Sequence, residues 1–407
     1  MGQRLFEGVR VIDFTDFLAG PYCGMYFADN GAEVLKFENL ATGGNFVRNG
    51  VPKEPKEGVS MYFQNLNRNK RGIALNLKTE EGKKLFAELV KSADVLIENN
   101  RPGVMDRLGF GWEHCHELNP RLIHASISGY GQYGARAKRP GYDLIAQALG
   151  GSMSITGWPD DQPTRAGMAI GDLLAGINCA FAVAGSLFKR IATGEGQRID
   201  VALVDSVVSA MEAKLMQYIY TGVCPTRTGN EYLTSAPYDS FKAKDNYFVL
   251  ASGTDAHFKK LCTVLNRPDL PDNPLYVDTP KRRANAAGLK KIIETWAADK
   301  TVDEVVKLID SVGVPVGPIY DCKDIANDKE ITDVRQMFVK VPHPTLGNLT
   351  VLGNPIKMSE YPCQYDTCAP ELGADNKDVF EKLGFSEEEL KTYEAAGALN
   401  LSPVCKK

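Results

Sequence analysis

Residues 9–39 read VRVIDFTDFLAGPYCGMYFADNGAEVLKFEN, and the order of elements in this stretch decides the fold. Val9 to Phe14 is an apolar, β-branched run, Pro21 to Asn30 suits a short helix, and Ala32 to Phe37 is a second strand. Strand, helix, strand at this spacing is a βαβ unit, which sets both strands parallel in one sheet. The intervening loop, Thr15 to Pro21, lacks the three-glycine phosphate turn of a dinucleotide sheet. Glu38, after the second strand, reads as a solvated acid rather than a ribose ligand.

The pattern then repeats. Arg71 to Leu77 is strand-like, Thr79 to Ser92 a polar-faced helix, Asp94 to Ile97 a strand and Leu122 to Ile127 another. A basic loop, Asn67 to Arg71, precedes this second unit; such a loop holds phosphates or is a solvated edge. Asn99-Asn100-Arg101-Pro102-Gly103 falls at the carboxyl end of a strand, where open α/β sheets bind ligands, and Arg107 follows about one turn later. Gly129 to Gly134 is a literal G-x-G-x-x-G. The dinucleotide fingerprint opens a helix, whereas this one runs into Ala135 to Gly141, which has no apolar helical face. It reads as a glycine loop above the sheet, followed by a helix from Tyr142 to Leu149.

Residues 163–204, PTRAGMAIGDLLAGINCAFAVAGSLFKRIATGEGQRIDVALV, hold the main candidate for chemistry. No charged residue stands between Asp172 and Lys189, so the run reads as a helix apolar nearly all round and buried on most sides. A carboxylate at its mouth faces the positive end of the helix dipole. Taken locally, Asp172 is an N-cap, because Asp is a preferred cap residue and a nucleophilic Asp is rare. Beyond Val204 a helix is expected through Lys214 to Tyr220.

Gly222 to Pro237 is turn-rich and marks a boundary. Asp239 to Ser252 reads as an antiparallel hairpin turning at Lys242 to Asn246, and helices are expected at 257–265, 284–299 and 301–312. The tail offers a strand-like segment at 349–358 and helices at 376–383 and 386–396. The expected division is a large domain from residues 1–222, a small domain at 223–325, and a return segment, 326–407, completing the large one.

With 407 residues the chain is long enough for two full cores. A net charge of -4 argues against a nucleic-acid surface. No uninterrupted apolar segment is expected to reach membrane-spanning length, and the start is no secretory signal. Nine cysteines are scattered without a C-x-x-C, which points to free thiols in a reducing cytoplasm. His114-Cys115-His116 cannot face one ion from a helix, so no metal site is expected.

Taken together, the pieces resemble class III CoA-transferases, the family of formyl-CoA transferase and the carnitine CoA-transferases. The resemblance runs nearly end to end. It is carried by Gly8 to Asp13, Gly31 to Val34, Asn67 to Arg71, Leu75 to Lys78 and Gly129 to Gln132. Gly171-Asp172, Thr193 to Gln197 and Val314 to Pro318 extend it. It implies a Rossmann-like parallel-sheet domain built from both chain ends, a smaller α+β domain, and an interlocked homodimer. It also implies that Asp172 is a covalent nucleophile, with CoA as substrate and no tightly bound cofactor. Backbone N–H groups near Gly171 or in the small domain would hold the oxyanions.

The CoA contacts implied by the resemblance are Leu18, Ala19, Asn39, Leu75, Asn76, Leu77, Lys78, Asn99, Arg107, Ser128 and Tyr130. Three of these depart from formyl-CoA transferases: Asn39 replaces an Arg, Ser128 a Lys, and Leu18 a Gln. An acid larger or more apolar than oxalate is therefore expected. Phe17, Leu18, Tyr26, Tyr130 and Tyr142 are the candidates for its pocket. An α-methylacyl-CoA racemase is the alternative, but Gly141-Tyr142-Asp143 carries Tyr where racemases of this fold carry His, and a phenol is a poor base. A non-catalytic CoA-binding relative is the third reading.

Overall fold

The computed structural model describes residues 4–403. The chain divides into two compact units. One comprises Met1–Ser152, Arg165–Met216 and Glu330–Lys407, the other Met153–Thr164 and Gln217–Lys329.

The first unit is an α/β layer structure. Its sheet is formed by β1 (Arg10–Phe14), β2 (Glu33–Asn39), β3 (Arg71–Leu75), β4 (Val95–Glu98), β5 (Ile123–Ser128) and β6 (Gln197–Ala202). All pairings are parallel, and the strand order is β3-β2-β1-β4-β5-β6. Helices follow the strands: α1 (Ala19–Asp29), α2 (Met61–Asn67), α3 (Glu80–Ser92), α4 (Val104–Leu108), α5 (Trp112–Leu118) and α6 (Asp143–Leu149). After α7 (Ser152–Ile155) comes α8 (Ile170–Thr193), and after β6 come α9 (Leu203–Ser209) and α10 (Glu212–Thr221). The last two were expected as one helix. The chain breaks between them, where Glu212 has a φ of 44°.

Successive strand residues point to opposite faces, so the sheet carries a core on each. Ile12, Leu35, Ile73 and Leu96 pack with Leu85, Phe86 and Leu89 of α3 on one side. Val11, Val34, Val95 and Ile97 pack with Phe27 of α1 and Ala175, Cys179 and Val183 of α8 on the other.

The helix α8 is half buried, not buried all round. Its inner stripe, Ala175, Cys179, Val183, Ser186 and Arg190, is covered, and Arg190 pairs with Asp94 at 2.7 Å. Ile177, Phe181, Phe188 and Ile191 lie exposed on the outer side. By length and composition alone, α8 is apolar enough to cross a membrane. Sequence reading missed this by treating Asp172 and Lys189 as interruptions. The inner stripe nonetheless packs as that of a sheet-covering helix does.

The second unit holds an antiparallel sheet of β7 (Tyr238–Lys242), β8 (Tyr247–Ala251) and β9 (Val316–Pro318). Around it stand α11 (Asp255–Val264), α12 (Thr279–Ala284), α13 (Ala286–Ala297), α14 (Val302–Asp310) and α15 (Cys322–Asn327). Phe241, Phe248, Leu261, Ile293, Val305 and Ile309 form its core.

The chain then returns through the hairpin β10 (Phe338–His343) and β11 (Gly347–Leu352) to α16 (Asn376–Lys382) and α17 (Glu387–Ala395). The tail helices pack into the first unit. Val379, Phe380 and Leu390 join the core beneath β3. The side chain of Asn376 accepts from the Ala74 N–H and donates to its carbonyl, each at 3.0 Å. Asp375 likewise takes the Gly72 N–H at 2.7 Å. Together they cover the open edge of β3, a place where unpaired backbone would otherwise invite another strand.

Candidate active site

Connections on the two sides of β1 run in opposite directions, so the loops after β1 and β4 diverge at their carboxyl ends. A crevice opens at such a switch point. Here it is a cavity of about 220 Å³, walled by Leu18 and Ala19 after β1 and by Asn99, Asn100 and Arg101 after β4. Ser128 and Gly129 after β5, the 137–142 segment and Asp172 complete the wall.

Asp172 is not an N-cap. Ala169 holds the cap position of α8, without a side-chain cap bond, and Asp172 lies within the first turn. The true anchor of this helix start is Asp143. Its Oδ1 accepts the Gly171 N–H at 2.8 Å, and its Oδ2 accepts from Gln147 Nε2 at 2.7 Å. Gln147 Oε1 in turn accepts the Ala166 N–H at 2.9 Å. The Gly171 N–H, expected to face an oxyanion, is therefore already committed to Asp143. Burial, and after it the neighbouring Asp143 carboxylate, raise the Asp172 pKa to about 7. Among the described residues, no cation or hydrogen bond offsets these two causes.

One group near Asp172 had no readable signal in the sequence. The phenol of Tyr62, on α2, is pushed up to about 12 by burial and then by the Asp172 carboxylate. Arg101 and Arg139 add cationic side chains to the cavity wall. Ser128 Oγ is buried there with no partner among the described residues, leaving a hydroxyl free to donate.

Of the contacts implied by resemblance, Leu18, Ala19, Asn99 and Ser128 line the cavity with Asp172. Asn39, Leu75 to Lys78, Arg107 and Tyr130 do not. Asn39 and Leu75 are paired in register at the carboxyl ends of β2 and β3, so topology brings them to the same sheet edge. The Leu75 side chain is inside the core, and Asn76 is tied to the tail by its N–H to Ala398 O at 2.8 Å. Lys78 and Arg107 are exposed. The amide of Asn99 is not free for ligand. Its Oδ1 accepts the Asp16 N–H at 2.8 Å and its Nδ2 donates to Asp16 O at 2.7 Å. Of the aromatic candidates, Phe17 and Tyr142 line the cavity, while Tyr26 meets Tyr22 with their hydroxyls 3.3 Å apart.

Among the described residues, no group of three or more His, Cys, Asp or Glu side chains is placed to hold a metal ion.

A family model described as CoA-transferase family III matches residues 6–376. The chain belongs to CoA-transferase family III. The transferase is 39% identical over 386 residues to a succinyl-CoA:mesaconate CoA-transferase of Haloarcula hispanica, covering 93% of this chain and 96% of the relative. It is 41% identical over 358 residues to an acetyl-CoA:oxalate CoA-transferase of Acetobacter aceti, covering 88% and 90%. A CAIB/BAIF family protein from Brucella suis has the same fold. Its crystal structure superposes with a TM-score of 0.84 at 33% identity, over 94% of this chain and all of the other. The substrates of the transferase are accordingly an acyl-CoA thioester and a carboxylate. The cavity at the carboxyl edge of the sheet holds the Asp172 side chain together with hydrogen-bond donors in its wall.

Proposed function

We propose that the protein moves CoA from an acyl-CoA to a free carboxylic acid through covalent intermediates on Asp172. The Asp172 carboxylate attacks the thioester carbonyl, forming a mixed anhydride and expelling CoA thiolate. The thiolate attacks the aspartyl carbonyl, which frees the donor acid and leaves an aspartyl-CoA thioester. The incoming carboxylate attacks that thioester, giving a second anhydride and thiolate. Attack of the thiolate on the new acyl carbonyl yields the product thioester and restores Asp172. Thioester energy is conserved throughout, so the scheme calls on no ATP.

The observation that carries this reading is Asp172 itself, a carboxylate in a cavity wall with no ion-pair or hydrogen-bond partner among the described residues. An unpaired, poorly hydrated carboxylate is the form in which this weak nucleophile reacts. Ser128 Oγ is the available oxyanion donor. Arg101 and Arg139 suit the charged ends of the substrates. Relatives named for mesaconate, oxalate, D-citramalate and glutarate transfer favour a small dicarboxylic acid as acceptor, and the apolar Leu18 and Phe17 in the cavity wall favour one larger than oxalate. The exposed Ile177, Phe181, Phe188 and Ile191 stripe of α8 suits burial against a second copy, in keeping with an interlocked homodimer, and the free thiols of the described cysteines suit the cytoplasm.

Replacing the nucleophile tests the scheme. Asp172→Ala should lower transfer on the order of 10⁴-fold or more while CoA still binds. Hydroxylamine added during turnover should label Asp172, as read by peptide mass. Near-normal turnover by the alanine variant would sink the mechanism.

A further inference from the structure

We infer that Phe17 is a specificity-determining residue of this transfer, its ring held over the Asp172 cavity to take the apolar part of the acid. The inference rests on the transfer chemistry proposed above.

Phe17 sits at a φ of 61°, in the left-handed region that an aromatic residue rarely adopts. Such an outlier persists only where its surroundings over-determine it, and it points to function when it borders a site. Both flanks of Phe17 are pinned. Asn99 clamps the Asp16 backbone through two hydrogen bonds, at 2.8 and 2.7 Å. The Asp16 carboxylate accepts the Phe17 N–H at 2.8 Å, and Leu18 O starts α1 by accepting the Tyr22 N–H at 2.8 Å.

Core packing does not explain why the loop keeps a phenylalanine there, because the residue is 41% exposed. Its ring instead meets other exposed rings. Tyr142 stands edge-on with centroids 5.9 Å apart at 77°, and Phe46 lies tilted at 6.1 Å. These residues come from separate loops. Phe17 and Tyr142 both line the cavity that holds Asp172, with Arg101 and Arg139 elsewhere in its wall. A ring surface beside cations fits an acid with a short branch or double bond, flat enough to lie against the rings. A two-carbon acid has no atoms to place there. Asn99 is then a positioning residue that acts through the ring.

The experiment compares kcat/KM for mesaconate and for oxalate with one shared succinyl-CoA donor. Phe17→Gly suits the backbone conformation, and Phe17→Asn tolerates it, so both variants should fold, as thermal melting will check. The mesaconate-to-oxalate ratio should fall about tenfold in each, the size of effect a lost apolar contact in a pocket produces. Asn99→Ala should lower the ratio in the wild-type background and leave it unchanged when added to Phe17→Gly. A ratio within twofold of wild type in both Phe17 variants overturns the inference, and a further fall in the double variant overturns the role of Asn99. Wild-type protein that passes CoA to neither acid overturns the proposed small dicarboxylic acceptor and this inference with it. Active wild type with unmoved variants overturns this inference alone.

Discussion

Asp13 and Asp172 are both aspartates set into the first unit, one fully buried and the other partly, and burial leaves them opposite in character. Asp13, at the end of β1, is completely buried, yet its pKa is held down to about 2. Burial pushes it up, but Lys36 and Lys70 pull it down harder, at 3.3 and 2.7 Å. The Lys70 ammonium also donates to Pro21 O at 2.9 Å and Asn67 Oδ1 at 3.0 Å, fastening the start of α1 to the sheet. Asp172 has no such partner. Burial and Asp143 raise it to about 7. What burial does to a carboxylate is thus set by the company it keeps. Ion-paired, it becomes a structural post; left beside another carboxylate in a cavity, it becomes a reagent.

Removing each acid in turn should separate these roles most sharply. Asp13→Ala leaves two ammonium groups buried around a missing counter-charge. A broken buried pair of this kind costs about 3–5 kcal/mol, read as a lower urea midpoint. Asp172→Ala should leave that midpoint unchanged or raised, since it removes an uncompensated acid. Equal destabilisation by the two substitutions would erase the distinction.

A smaller effect should come from the neighbour that sets Asp172 apart. Asp143→Asn removes the like charge, while its Oδ1 can still accept the Gly171 N–H. Transfer requires the Asp172 carboxylate, so kcat/KM for the wild type should rise with pH through about 7. In the variant that midpoint should move down by about one unit or less, because burial is the larger cause and remains. Relative to its own plateau, the variant should be several-fold faster at pH 6. An unmoved midpoint would remove Asp143 from the account.

Much of this contrast was legible before any coordinates. The apolar runs at 9–14, 32–37 and 94–97 are strands because both faces of a parallel sheet are buried, and such runs need no alternation. Asp172 was legible as the acid at the mouth of a long apolar helix. Its environment was not, because Asp143 and Gln147 lie on another helix, and only folding brings them to Gly171. Asn99 illustrates a different limit. Its position at a strand's carboxyl end marks the crevice correctly, but a side-chain amide bonds whatever the fold presents, here the Asp16 backbone. Tyr62 left no trace at all, since an aromatic residue in a short helix carries no sign of which carboxylate it will face. The burial of α8 was overestimated for a similar reason: an apolar circumference does not say which arc the chain itself covers.

The smallest effect is also the most direct check of the Asp172 environment. In the folded chain Asp172 keeps its proton up to about 7, whereas an unfolded Asp releases it near 3.9. The folded state therefore binds the extra proton between these values. Its contribution to stability is fully present below about 4 and is lost as the pH rises through about 7. Asp172→Asn has the shape of the protonated acid and nothing to titrate. Wild type and variant should melt together near pH 4, and the variant should melt higher above pH 8. Because the cavity is open to some solvent, the gain should be about 1–2 kcal/mol, less than the full shift implies. For a chain of this size that is a few degrees at most. The informative quantity is the pH dependence of the difference. An offset that is the same at every pH would mean that Asp172 titrates as an ordinary carboxylate. The contrast with Asp13 would then rest on the lysines alone.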